Sequence, residues 1–365
     1  MGQGDPADRS QYDVLGWQAL GGRRCSRNHR HVLQQGHFRR VDEIFAEDDL
    51  QHLKSFSNVV WAKDEPIPAD EIVRHAADMW ALVTARPKVD VALLKTAPNL
   101  KAIVEVAGRF PNDVDYDACF ARQVRVLSCA PAFGAQVAEM TLAMMLAAGR
   151  GLVAEHETFR RADEHWQCDR EGWDFTLFGQ SVGLIGVGSI AKSLLKLIEP
   201  FGCRVRAYDP WLPKSVIEQM GCAPASLEET LRESRIVILL AVPTTENEGL
   251  IGAHELEMMQ PGSLLLLISR SHLVDFDALT DALYANHLQA AIDVFPEEPL
   301  PGDHPIRKAP NVILSAHRAA SIRKERQAIG RLVVDDLELM ARGLPPIRLQ
   351  IAEPELVPLY TGRSN

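Results

Sequence analysis

Three side chains that could handle a proton and an anion follow successive apolar runs: Arg270 after LLLLI, Glu298 after QAAID, and His317 after VILSA. Histidine titrates near neutrality, so it can give or take a proton, and a carboxylate within reach orients the ring. A guanidinium offers coplanar donors to a carboxylate and polarises a neighbouring carbonyl, a geometry lysine does not reproduce. Taken singly, each has an ordinary explanation: a surface charge, an acid shaping a turn, a hydrogen-bonded core histidine. Glu297 also competes with Glu298 for the acid's place. The order Arg, Glu, His at three strand ends favours chemistry, because open α/β sheets bind ligands beyond the carboxyl ends of their strands.

Upstream lies a second pattern. Residues 182–210 read VGLIGVGSIAKSLLKLIEPFGCRVRAYDP: apolar strand, glycine turn, helix, second strand, terminal acid. Gly186, Gly188 and Ala191 form G-x-G-x-x-A, and Asp209 follows Gly186 by 23 residues. Gly186 permits the tight turn, Gly188 lets a pyrophosphate approach the backbone, and Ala191 lets helix and strand pack closely. The helix opens at Ser189 and Ile190, with its positive end towards the phosphates. Asp209 would accept hydrogen bonds from ribose hydroxyls and repel a 2′-phosphate, so the pattern predicts NAD rather than NADP.

The elements that must position these groups alternate along the chain. Strands are expected at 59–62, 80–84 and 100–106, with a helix at 69–77. A second alternating block runs over 182–314, with strands at 235–241, 263–268 and 289–293 and helices at 227–233 and 275–284. Such alternation predicts parallel sheets covered by helices, and runs such as ILLAV and LLLLI fit strands buried on both faces. Between the blocks, a helix over 136–149 is apolar almost all round, which predicts burial between domains or subunits. A last helix at 322–342 is expected to return to the first domain.

At 365 residues the chain has room for two domains. Its 46% hydrophobic and 24% charged composition is that of a globular protein, and its net charge of −10 argues against a nucleic-acid surface. The six cysteines, at 25, 119, 129, 168, 203 and 222, show no metal-ligand spacing and predict reduced thiols. No uninterrupted apolar run approaches the ~18 residues of a membrane span, and no secretory signal opens the chain, so a cytoplasmic location is expected. Residues 1–30, basic over 23–30, are expected to be an extension without regular structure.

These motifs together resemble the NAD-dependent D-isomer-specific 2-hydroxyacid dehydrogenase family. The resemblance covers roughly residues 80–345 and includes PNLKAI at 98–103, VAEMTLAMMLAAGR at 137–150, AIDVFPEEPLPGDHP at 291–305 and NVILSAH at 311–317. It implies a doubly wound, Rossmann-type α/β NAD domain over 135–319. A flavodoxin-like α/β substrate domain would be built from 31–134 and 320–365. It implies a homodimer acting on a small 2-oxo or 2-hydroxy acid, with Arg270, Glu298 and His317 in the catalytic places. His317 would act as acid and base, Glu298 would orient and charge it, and Arg270 would hold the substrate carboxylate. Val242, Pro243, Ser269 and Asp293 would join Gly186, Gly188, Ser189, Ile190 and Asp209 around the cofactor, with Asp293 near the nicotinamide carboxamide.

Three departures stand out. Ser271 replaces the glycine that usually follows the arginine, and Arg318-Ala319-Ala320 replaces a glycine-rich turn after the histidine. The substrate loop, whose backbone amides grip the substrate carboxylate in the family, reads Gly108-Arg109-Phe110-Pro111. Phe110 is expected to narrow the pocket or wall it, and Arg109 to offer a second anionic contact. Two rival readings stay open: a phosphoglycerate dehydrogenase-like activity, and a non-catalytic NAD(H) sensor resembling the C-terminal-binding corepressors.

Overall fold

The computed structural model describes residues 30–34, 41–61 and 68–360. The extension expected over residues 1–30 lies outside them but for its last position. Five parallel strands come first in the chain: β1 (Arg30–Gln34), β2 (Asn58–Trp61), β3 (Met79–Thr84), β4 (Ala102–Glu105) and β5 (Arg125–Ser128). Seven more follow: β6 (Ser181–Ile185), β7 (Arg204–Tyr208), β8 (Ala223–Pro224), β9 (Ile236–Leu239), β10 (Leu264–Leu267), β11 (Gln289–Ile292) and β12 (Val312–Leu314). A short β13 (Gln350–Ile351) ends the series.

They form two sheets. The first has the order β13-β5-β4-β3-β1-β2, with β13 antiparallel on β5. The second has the order β12-β11-β10-β9-β6-β7-β8 and is parallel throughout. Its chain winds outward from β6 to β8 on one side, then resumes at β9 on the other. The crevice between the carboxyl ends of β6 and β9 is therefore the topological switch point, where such sheets bind ligands. The runs IVIL in β9 and LLLL in β10 are buried at every position, as helices on both faces require.

The helix Gly134–Gly149 packs across helix Ser189–Ile198 and against β10 and β11. Gly134 allows the close approach, since a Cβ there would lie 3.0 Å from Ser189 O. With its short lead-in turn, the stretch Ala130–Gly149 has the length and apolarity of a membrane span, which counting uninterrupted apolar residues does not anticipate. Here it is a core helix, burying Val137, Ala138, Met144, Met145 and Ala148. One apolar cluster runs through it from Val104 and Leu127 of the first sheet to Leu184 and Leu266 of the second.

The last long helix spans Gln327–Ala341, starting later than expected because 323–326 form only turns. It returns to the first sheet's side, where Gly330 lies against the helix Val41–Ile44, and a Cβ there would stand 2.5 Å from Ile44 O. Arg323 and Arg326 pair with Asp42 and Glu43 at 2.7 and 3.1 Å. From this helix the fully buried Asp336 accepts amides from Ile347, Arg348 and Leu349, which steers the chain into β13.

Candidate active site

The glycine turn follows β6 directly. Gly186 has φ +92°, and a Cβ there would lie 2.5 Å from both N and Cα of Ala241, the residue leaving the β9 side of the crevice. Two separate constraints, dihedral and steric, thus demand glycine. Gly188 is different: its φ is ordinary and a Cβ would meet nothing within 4 Å, so it faces open space at the start of helix Ser189–Ile198. Ser189 and Ile190 form that helix's first turn, while Ala191 is fully buried beneath it. This is a cradle into which only backbone projects, at a helix N-terminus, and it suits a pyrophosphate.

Asp209 stands just past β7, held by the turn it serves. Its Oδ2 accepts Val187 N at 2.9 Å and its Oδ1 accepts Trp211 N at 3.0 Å, leaving lone pairs on both oxygens for ribose hydroxyls. Across the crevice, Val242 is exposed and followed by Pro243. Their loop is clipped by Asn247, which donates to Val242 O and accepts from Thr244 N. The residues present therefore fit a dinucleotide, and the acid favours NAD.

Beyond β10, Ser269 Oγ donates to Leu239 O at 2.9 Å, tying the ends of β9 and β10 together. Arg270 follows in an extended conformation, partly buried, and donates from Nη1 to Ser269 O. Burial first, then the neighbouring Arg109 guanidinium, lowers its pKa from the ordinary arginine value; Glu105 and Glu298 oppose this. Ser271 opens a short 3₁₀ turn and is not among the residues with positive φ, so the missing glycine is not needed. His272 Nε2 meets Thr244 O at 2.8 Å and so joins the arginine turn to the cofactor-side loop.

His317 and Glu298 meet directly, with Nδ1 2.6 Å from Oε2. The other oxygen of Glu298 accepts Phe295 N at 3.0 Å, so the carboxylate is fixed before it reaches the ring. Glu298, rather than Glu297, makes this contact. His317 is exposed and sits at φ +49°, a left-handed conformation. Its backbone is held by Asp293, whose carbonyl accepts His317 N at 2.8 Å and whose buried carboxylate accepts the amides of Arg318 and Ala319. Asp293, expected near the carboxamide, thus carries the loop that replaces the glycine-rich turn.

The loop after β4 differs from expectation. Gly108 has φ +83°, and a Cβ there would collide with the Phe133 ring at 2.6 Å. Phe110 is half-buried and packs onto the apolar cluster of the first sheet. Arg109 is exposed and lies within electrostatic reach of Arg270. The amides of Ala107, Gly108 and Arg109 do not point to an open site: all three donate to the Glu105 carboxylate, at 2.7, 2.8 and 2.9 Å. Glu105, the buried last residue of β4, was not singled out by sequence. The available signal was an acid closing the apolar run AIVE immediately before a glycine turn.

Comparison with known proteins gives the family. Residues 142–319 match the model for the D-isomer specific 2-hydroxyacid dehydrogenase NAD binding domain. The chain is 32% identical over 316 residues to a glyoxylate reductase of Aeropyrum pernix, covering 84% of this chain and 93% of that one. It is 30% identical over 320 residues to a D-3-phosphoglycerate dehydrogenase of Archaeoglobus fulgidus, covering 87% of this chain and 60% of that longer protein. A crystal structure of a phosphoglycerate oxidoreductase from Rhizobium etli superposes with a TM-score of 0.78 at 33% identity, covering 90% of this chain and 99% of that one. The chain belongs to the D-isomer-specific 2-hydroxyacid dehydrogenase family, NAD-dependent enzymes that move a hydride between the cofactor and a 2-hydroxy or 2-oxo acid.

Proposed function

We propose that the chain reduces a small 2-oxo acid with NADH, with His317 as proton donor, Glu298 as its orienting partner and Arg270 as the carboxylate clamp. The observation that carries this is the 2.6 Å contact between His317 Nδ1 and Glu298 Oε2, beside an arginine that feels the charge of Glu298. With Nδ1 engaged, Nε2 is the ring atom left to protonate the substrate carbonyl oxygen, or to take the hydroxyl proton in reverse. Bound NAD(H) supplies the hydride. The glycine turn, Ser189, Ile190 and Asp209 would hold it, with Val242, Pro243 and Ser269 at the same crevice. Asp293 would act from behind, by placing His317.

The glyoxylate reductase relative supports a two-carbon substrate. The nearness of Arg109 to Arg270 favours a second reading, a 2-oxo acid with a further anionic group such as a phosphate. NADH oxidation followed by absorbance across glyoxylate, pyruvate, hydroxypyruvate, its phosphate, and branched and aromatic 2-oxo acids separates the two. Turnover should be found on the small members, and its preference for one or two anions selects the reading. Silence on every member by folded, NADH-binding protein would point instead to a cofactor-sensing role.

The proposed domain division puts residues 135–319 in the NAD domain and 31–134 with 320–365 in the substrate domain. It is supported by helix Gly134–Gly149 lying on the second sheet and Gln327–Ala341 beside the first. We also propose a cytoplasmic homodimer. Cys119, Cys168, Cys203 and Cys222 are free thiols. Leu146, Leu152, Val153, Phe159 and Trp166 are exposed along the helix Gly134–Gly149, the helix Leu152–Arg160 and the turn beyond, apolar surface that a second copy would cover. Sedimentation equilibrium should return twice the 40.5 kDa chain mass, and a monomer would remove the reading.

A further inference from the structure

Among the described residues, three acids are wholly buried: Glu105, Asp293 and Asp336. Each is satisfied in the same manner, by backbone amides of a loop it organises. Asp293 holds the loop of His317, and Asp336 holds the approach to β13. Glu105 holds the loop proposed to face the substrate, and it has two arginines within electrostatic reach, Arg109 on its own loop and Arg270 from the other sheet.

Three successive N–H groups converging on one carboxylate are what a 2-oxo acid's own carboxylate would need from a backbone cradle. Here the chain fills that cradle from below. Oε1 takes Ala107 N, while Oε2 takes both Gly108 N and Arg109 N. An arriving substrate cannot use those donors without displacing a buried side chain that has no solvent to move into.

We propose that Glu105 is a specificity-determining positioning residue, an internal carboxylate that occupies the amide cradle and so shifts recognition of the substrate's anionic group to the side chains of Arg270 and Arg109. The inference rests on the reductase reading given above. Two consequences follow from the geometry. The cradle fixes the backbone of Arg109 while leaving its side chain exposed, so the guanidinium is presented rather than spent on the loop. The pocket is also made selective by side-chain charge, which a guanidinium supplies to any acid of suitable size, rather than by the fixed spacing of backbone donors.

Burial raises the pKa of Glu105 to about 7 in spite of its three amide partners and Arg109. The groups facing it are Arg109, Arg270 and the Tyr116 hydroxyl from the helix Tyr116–Ala121. Experiments therefore belong above neutrality, where the carboxylate is ionised.

The test is chemical rescue. Glu105→Ala opens a cavity at the three amides that formate can fill. Without added carboxylate, this variant should melt lower than the native enzyme and show KM for the 2-oxo acid raised about tenfold or more. Its kcat and NADH affinity should move by less than about threefold. Sodium formate, against sodium chloride at equal ionic strength, should restore both melting temperature and KM in the variant and neither in the native enzyme. Arg109→Ala should raise KM about tenfold in the native background and by much less in Glu105→Ala, where the loop no longer holds the Arg109 guanidinium towards the substrate. Absence of formate rescue, or an Arg109 effect of equal size in both backgrounds, overturns the proposal. If Glu105→Ala does not fold, Glu105→Gln keeps the volume and one acceptor oxygen. An unchanged KM in that variant overturns the proposal equally. The melting readout needs no turnover, so an inactive native enzyme would sink the assigned reaction while formate stabilisation of Glu105→Ala still upheld the filled cradle.

Discussion

Replacing His317 by asparagine should lower kcat by about 10²–10⁴ while leaving the NADH dissociation constant within about twofold of native. The choice of asparagine follows from the backbone. His317 sits at φ +49°, where alanine would add strain of its own and asparagine is tolerated. The loop around it depends on Asp293, through His317 N and the amides of Arg318 and Ala319, and none of these bonds uses the imidazole. The substitution should therefore remove proton transfer and little else. Stopped-flow reduction of the best 2-oxo acid, with NADH fluorescence titration alongside, reads both quantities. Native turnover in His317→Asn would remove His317 from the chemistry. Glu298→Gln should give a smaller loss, since it keeps a hydrogen-bonding partner for Nδ1 but not the charge.

Gly186→Ala should weaken NADH binding by about 100-fold or more and lower the melting temperature as well. A non-glycine residue at φ +92° is strained wherever it occurs, and here the new Cβ would also lie 2.5 Å from backbone atoms of Ala241. Backbone cannot rotate away as a side-chain tip can. Either the turn or the end of β9 must shift, and both walls of the cofactor crevice are built from them. Gly188→Ala is the informative partner. Its Cβ meets nothing within 4 Å, so the melting temperature should hold while NADH affinity falls, because the methyl occupies space left for the pyrophosphate. Equal melting losses in both variants would show that Gly188 serves the fold rather than the cofactor.

Much of this site was legible before any coordinates. The glycine turn, its helix and Asp209 are local in sequence, and their roles follow from backbone geometry over a few dozen residues. The strands carrying Arg270, Glu298 and His317 announced themselves as fully apolar runs, and their order told which ends must converge. What stayed hidden depended on partners distant in space or on burial. Ser271 looked like a defect until its conformation proved ordinary. Asp293 reads in sequence as a cofactor contact, yet its carboxylate is given to a loop 25 and 26 residues further on. Phe110 could line a pocket or fill a core, and only packing decides between these. Glu105 was the larger omission. An acid inside an apolar strand is normally a sign of exposure, and nothing in its neighbours tells that three amides will curl back over it. The apolar helix over 136–149 was legible as buried between domains or subunits, but not that it would lie across helix Ser189–Ile198 and against β10 and β11.

The placement of the working parts on two sheets has an evolutionary consequence. The glycine turn, Asp209, Arg270, Glu298 and His317 all hang from the carboxyl edge of the second sheet, whereas Glu105, Arg109 and Phe110 hang from the first. Substitutions in the loop after β4 can retune what is bound beside Arg270 without touching the glycine turn, Glu298 or His317. On the proposed reading, redrafting one short loop changes which acid is taken and leaves the geometry of hydride transfer in place.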